Sequence, residues 1–150
     1  MIDSLRSHPA GRSYASGRPA SLWRRLQWSA TVLTGLVVLH DVDHFVHSDA
    51  YGGVSKALYG ILPVQYALIG AVLALVWRQD LRAPAAAAAL AAGSIAAFVF
   101  AHVVPFGPQP VTEHDAPLIT WLLIVVPVAV SAYVFAVGLR LRTAIYPGTR

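Results

Sequence analysis

The sequence predicts an all-α integral membrane protein, folded as a bundle of four transmembrane helices. Of its 150 residues, 57% are hydrophobic and 12% are charged, and the mean hydropathy is +0.60. Such values are typical of membrane proteins rather than of soluble domains. The chain contains four apolar runs, each about as long as the 20 residues that a helix needs to cross the bilayer. Each run is expected to be helical, because a backbone in lipid must satisfy its own hydrogen bonds.

The four predicted spans, taken in order, are residues 26–47, 58–77, 85–104 and 118–139. Residues 1–21 precede them and are rich in Ser, Gly, Arg and Pro, so we expect a flexible cytoplasmic tail. The transmembrane domain then covers residues 22–142, and residues 143–150 form a second short cytoplasmic tail. The second span carries two candidate polar contacts, Gln65 and Tyr66. The third span is rich in alanine, which allows close helix packing within the bundle or between subunits of a homo-oligomer.

Basic residues lie almost entirely on one side of the predicted bundle. Ten of the eleven precede the first span, connect the second to the third or follow the fourth, and only Lys56 lies on the opposite side. Five of the seven acidic residues lie on that opposite side. The positive-inside rule therefore predicts that both termini are cytoplasmic, and we expect a bacterial cytoplasmic (inner) membrane. The basic pI of 9.9 suggests nucleic-acid binding, but the placement of the basic residues on one side of the spans argues against it.

The first predicted span ends in LHDVDHFVH, which holds three histidines and two aspartates within nine residues. A helical arrangement places four of these side chains within an arc of about 100°: His40, Asp43, His44 and His47. His102 lies near the end of the third span, at nearly the same predicted depth as His44. Ionisable residues inside membrane spans tend to face the bundle interior and to mark function. We therefore expect these five residues to form a site at the outer face.

Four further residues are candidates for the same site. Asp41 lies on the shoulder of the histidine-bearing helix face. Glu113, His114 and Asp115 approach the start of the fourth span along a proline-rich connection. Asp115 can instead cap the fourth helix, and Glu113 and His114 can be solvated loop residues.

Imidazole and carboxylate donors favour a divalent transition-metal ion. Zn, Cu(II), Ni, Co, Fe(II) and Mn all accept such ligands, and ligand type alone does not choose among them. The chain has no cysteine and its only methionine is the initiator, so the site cannot use thiolate ligands. The sequence predicts metal binding for metal handling or uptake, or in the service of a larger membrane complex.

Two other classes of function stay open. The chain can be a haem-binding or accessory subunit of a respiratory or oxidase-type complex, with His40 or His44 and His102 as axial ligands, although the adjacent aspartates count against a haem pocket. It can also be a small membrane metalloenzyme that keeps an open position on a three-histidine site. The sequence assigns a catalytic role to no particular residue.

The stretch Asp41-Val42-Asp43-His44 resembles the D-x-D-H core of the intramembrane metal motif in nickel/cobalt permeases. The resemblance implies direct metal contact by the two aspartates and the histidine. It covers four of the 150 residues, and the histidine that precedes the family motif falls on Val38, with His40 present instead. Those permeases also have more spans. We interpret the resemblance as convergence on one coordination chemistry and carry over no function.

Overall fold

The computed structural model of the protein, which describes residues 18–48, 56–104 and 117–148, is all-helical. Four α-helices occupy these ranges: α1 (Arg18–Val46), α2 (Lys56–Trp77), α3 (Ala83–Phe98) and α4 (Leu118–Ile145). A π-helical turn, Val99–Val103, continues α3. The prediction of an all-α chain with four helices is confirmed.

The ends of two helices differ from the predicted spans. Helix α1 begins at Arg18, so it includes the end of the segment expected to be a flexible tail, whereas residues 1–17 lie outside the described residues. Helix α4 continues past residue 139 to Ile145, into the segment expected to be the second tail. Pro117 holds the N-cap position of α4, without a side-chain capping hydrogen bond, and Asp115, the candidate cap, lies outside the described residues.

Three segments of the described chain are long and apolar enough to cross a membrane: Gly60–Trp77, Ala83–Val103 and Leu118–Ile145. Helix α1 has sufficient length, at 29 residues, but ionisable and polar residues lie near both of its ends. Its apolar middle is flanked by Arg24 and Arg25 on one side and by the histidines and aspartates of residues 40–47 on the other.

Helices α3 and α4 approach each other backbone to backbone. A Cβ atom added at Gly138 would lie 2.8 Å from the carbonyl oxygen of Pro84 and 3.2 Å from the Cβ of Ala88. Ala87 and Ala91 are buried along the same face of α3. The alanine-rich helix therefore uses its small side chains for packing within the bundle, which is one of the two arrangements that the sequence allows.

Helix α2 lies on the outside of the bundle. Val72 and Val76 are buried against the other helices, whereas Val64 is 70% exposed. Near the end of α2, the Trp77 indole packs edge-on against Trp28 of α1 at a centroid distance of 6.4 Å. An open groove of about 550 Å³ separates part of α2 from α3. Apolar side chains exposed in this way are those that a bilayer would cover.

The histidines and the arginines lie at opposite ends of the bundle. The end of α1 contacts the start of α4 and the π-helical turn. At the other end, six arginines of the described residues are exposed: Arg24, Arg25, Arg78, Arg82, Arg140 and Arg142. The charge separation expected from the sequence is thus a separation between the two ends of the folded bundle.

Candidate metal site

Three buried histidines meet between the last turns of α1 and the π-helical turn that follows α3. The Nε2 atom of His40 lies 3.0 Å from Nε2 of His44 and 3.2 Å from Nε2 of His102. One ring nitrogen from each histidine lies within 4.8 Å of the other two, so the group could hold a metal ion. The structure thus brings together residues that are 62 positions apart in the chain and for which the sequence predicts a similar depth.

Local structure explains how each ring reaches this point. His40 and His44 are four residues apart on α1 and therefore project from the same helix face. His102 is supplied by the π-helical turn, where the Val104 N–H donates a hydrogen bond to the carbonyl oxygen of Val99. Single π-helical turns are frequent at functional sites. Val104 is extended, and the helix ends there because a residue that precedes a proline disfavours helical dihedral angles.

Two of the distances between ring nitrogens are close to those expected around a shared ion. An imidazole nitrogen carries either one proton or one lone pair, so it makes one well-directed hydrogen bond. Nε2 of His40 has two close nitrogen neighbours, at 3.0 and 3.2 Å. Two nitrogens bound to one tetrahedral Zn²⁺ at about 2.0–2.1 Å would be about 3.3 Å apart. A single ion therefore satisfies both contacts at once, whereas one proton does not.

Phe98 forms an apolar wall on one side of the histidines. Its ring centroid lies 4.6 Å from that of His40 and 6.0 Å from that of His102. Phe98 is itself buried and lies at the end of α3, directly before the π-helical turn. An apolar side chain in this position limits the access of water to the three histidines and strengthens electrostatic interactions within the group.

Asp43 and His47, two of the predicted ligands, form a pair beside the three histidines. Asp43 is buried, and its Oδ1 atom lies 2.6 Å from Nδ1 of His47. The other carboxylate oxygen accepts a 2.8 Å hydrogen bond from the hydroxyl of Thr120 on α4. Asp43 also interacts electrostatically with His40 and His44. The carboxylate thus places a negative charge beside the three histidines, while its two oxygens contact His47 and Thr120.

Asp41 faces a different helix. Its Oδ2 atom accepts hydrogen bonds from the Tyr66 hydroxyl at 2.5 Å and from Nε2 of Gln65 at 3.3 Å, both on α2. The resemblance to nickel/cobalt permeases implies direct metal contact by Asp41 and Asp43, but both carboxylates are engaged by side chains of other residues. On α1, His40 therefore contacts the π-helical turn after α3, Asp41 contacts α2 and Asp43 contacts α4.

Some site residues could be found from the sequence and others could not. Gln65 and Tyr66 stand out as polar residues in an apolar span. Nothing in the sequence marks Thr120 or Phe98, which are a hydroxyl in a first turn and one aromatic residue among many. The candidates Glu113, His114 and Asp115 lie outside the described residues.

Comparison of the chain with known protein families, with curated proteins and with solved structures finds no match.

Proposed function

We propose that this protein is a four-span membrane protein that binds a divalent transition-metal ion through His40, His44 and His102. The observation that carries the proposal is the double contact of the His40 Nε2 atom, with a second imidazole nitrogen at 3.0 Å and a third at 3.2 Å. All three rings are buried at the same end of the bundle. Buried imidazoles that converge in this way match the donor set of Zn, Ni, Co, Fe(II), Mn or Cu(II).

Under this proposal α1 also crosses the membrane, in addition to the three apolar segments described above. Its 29 residues suffice for a bilayer, and the ionisable side chains of residues 40, 41, 43 and 44 are buried against other helices instead of facing lipid. The exposed arginines at the opposite end support an orientation with both termini in the cytoplasm and the histidines at the outer face. A bacterial inner membrane is the setting that fits this arrangement.

The geometry favours a single ion over haem. Two axial histidines of a haem place their Nε2 atoms about 4 Å apart, on opposite sides of the macrocycle. Here the corresponding distance between His40 and His102 is 3.2 Å, and the Nε2 atom of His44 lies beside them. A porphyrin between the two rings would require His44 and Phe98 to move away. A visible Soret band in the purified protein would instead support haem as the bound group.

Three protein ligands leave one coordination position of a tetrahedral ion open. We propose metal handling or uptake as the role, because an exchangeable ion needs such a position and because the half-exposed His47 lies between the surface and the buried Asp43. A small metalloenzyme is the second candidate, since an open position also serves to activate water. Uptake of the bound ion into proteoliposomes, present for metal handling and absent for an enzyme, distinguishes the two roles.

Elemental analysis of the purified protein tests metal binding. We expect about one ion per chain in the wild type and a loss of that ion in His44→Ala. The matched control is His47→Ala, which removes a histidine from the same end of the same helix but leaves the three converging nitrogens in place; we expect its metal content to stay near that of the wild type. Equal, metal-free results in all three proteins would overturn the proposal. Helix content measured by circular dichroism checks that each variant is folded.

A further inference from the structure

A second concave site lies at the arginine end of the bundle, between α1 and α4. It is a groove of about 630 Å³ whose walls include Arg24, Arg25, Trp28 and Val32 on α1 and Val130 and Tyr133 on α4. The groove is far from the histidines, which lie at the other end of both helices. Neither the metal site nor the packing of the core accounts for it.

The groove changes from charged to apolar along the helix axes. Arg24 and Arg25 lie nearest the helix start, Trp28 follows one turn later, and Val32 comes one further turn along α1. Ser21 and Ser29 add hydroxyl groups to the charged and middle parts. On α4, Tyr133 lies one turn closer to the arginine end than Val130. The order from the bundle end inward is thus guanidinium, aromatic ring and aliphatic side chain.

The arginine pair is available to a ligand. Both residues are exposed, and among the residues that the structure describes neither of them forms an ion pair. The described lining of the groove contains no acidic residue. Trp28 is 65% exposed and Tyr133 is 48% exposed, so large apolar surfaces adjoin the two positive charges.

We propose that this groove binds the headgroup and upper acyl chains of an anionic phospholipid. The phosphodiester is held by Arg24 and Arg25, whose planar guanidinium groups present several N–H donors to phosphate oxygens. The glycerol region lies against Trp28 and Tyr133, which are residue types that prefer the membrane interface. The acyl chains follow Val32 and Val130 into the hydrocarbon. Basic pockets between transmembrane helices bind anionic headgroups in this manner.

This inference goes beyond the proposed function and depends on the membrane location alone. The shared chemistry of the ligand is a phosphate anion, but an apolar floor below the arginines is of use only to a ligand that carries acyl chains. A free phosphate ion would leave Trp28, Val32 and Val130 uncovered. The proposed occupant of the groove is therefore a lipid.

Native mass spectrometry of the full chain, purified with equal amounts of phosphatidylglycerol and phosphatidylcholine of the same acyl chains, tests the proposal. The test variant is Arg24→Gln with Arg25→Gln. The matched control is Arg140→Gln with Arg142→Gln, which removes two exposed arginines from the same end of the bundle but outside the groove. Both double variants change only exposed residues, and circular dichroism confirms their helix content.

We expect the wild type to retain phosphatidylglycerol in preference to phosphatidylcholine. In the variant that lacks Arg24 and Arg25 we expect the affinity for phosphatidylglycerol to fall about 30-fold, which is the loss expected when two basic residues near a membrane surface are neutralised. In the control variant we expect that affinity to change less than threefold. Equal losses in the two variants, no preference for the anionic lipid, or displacement of the lipid by inorganic phosphate would each overturn the inference. Metal content measured in the same samples is expected to be unchanged, so failure of the lipid site is distinguishable from failure of the metal site.

Discussion

The hydroxyl of Thr120 in the first turn of α4 donates a 2.8 Å hydrogen bond to the Asp43 carboxylate near the end of α1. Both residues are buried, and the second carboxylate oxygen of Asp43 is engaged by His47. A buried carboxylate without hydrogen-bond donors is costly, so this contact stabilises the junction of the two helices. The same contact sets the position of a negative charge beside the three histidines.

Thr120→Val removes this donor and keeps the shape of the side chain. We expect the free energy of unfolding in detergent to fall by about 1–3 kcal/mol, because the Asp43 carboxylate loses a buried partner. The control is Thr143→Val, since the Thr143 hydroxyl is exposed and bonds only within its own helix. Denaturant unfolding followed by circular dichroism gives both values. The expectation fails if the two variants lose stability equally.

Tyr66→Phe tests the attachment of α2. The Tyr66 hydroxyl donates to Asp41 at 2.5 Å and is one of few polar contacts between α1 and α2 in the described chain. We expect a loss of about 1–3 kcal/mol in the free energy of unfolding, with little change in bound metal, because Asp41 lies outside the three-histidine group. Tyr133→Phe, at an exposed position, is the control. A loss of metal in Tyr66→Phe would show that Asp41 takes part in coordination.

Gly138→Ala tests the close approach of α3 and α4. The new methyl group would meet the Pro84 carbonyl oxygen at 2.8 Å, and this contact is with backbone atoms that cannot move independently. We expect a destabilisation of about 1–3 kcal/mol, measured as a lower midpoint of thermal unfolding. Gly70→Ala is the control, because no atom outside the adjoining backbone of its own helix and its two chain neighbours lies within 4 Å of the new methyl group. That variant should be neutral or slightly stabilised, since alanine favours helix over glycine by about 1 kcal/mol.

Asp43→Asn tests the electrostatic part of the site. The substitution keeps the shape of the side chain and an oxygen for Thr120, but it removes the negative charge next to His40 and His44. We expect the affinity for the bound ion to fall by about tenfold or more, as is typical when a carboxylate beside metal-binding histidines is lost. Competition with a chelator of known affinity measures the change. The control, Asp80→Asn, neutralises an acid in the turn at the opposite end of the bundle and should leave metal affinity unchanged.

The sequence predicts the helices and the common face of His40 and His44 well, because both depend on local periodicity. Apolar runs of sufficient length set four helices, and the four-residue spacing of His40 and His44 sets a common face. The shared depth of His44 and His102 follows from their positions near the ends of the first and third spans, which run in the same direction. The meeting of His102 with the other two rings also requires that α1 lie next to the end of α3, which the sequence leaves open and the structure shows.

Which partner each polar side chain of the site contacts depends on tertiary structure and could not be predicted from the sequence. His47 shares a helix face with His40 and His44, yet it lies against Asp43 at the half-exposed end of the helix. Asp41 and Asp43 differ by two positions and therefore face α2 and α4 respectively. The π-helical turn that carries His102 has no clear signal in the sequence other than the proline that follows Val104.

X-ray absorption of the protein loaded with Zn²⁺ tests the central claim most directly, because it counts the imidazole rings around the ion. We expect a nitrogen/oxygen shell at about 2.0–2.1 Å with outer-shell scattering from three imidazoles, reduced to two in His102→Ala and still three in His47→Ala. A spectrum with fewer than three imidazoles in the wild type, or one that is unchanged in His102→Ala, would contradict the assignment of His40, His44 and His102 as the ligands.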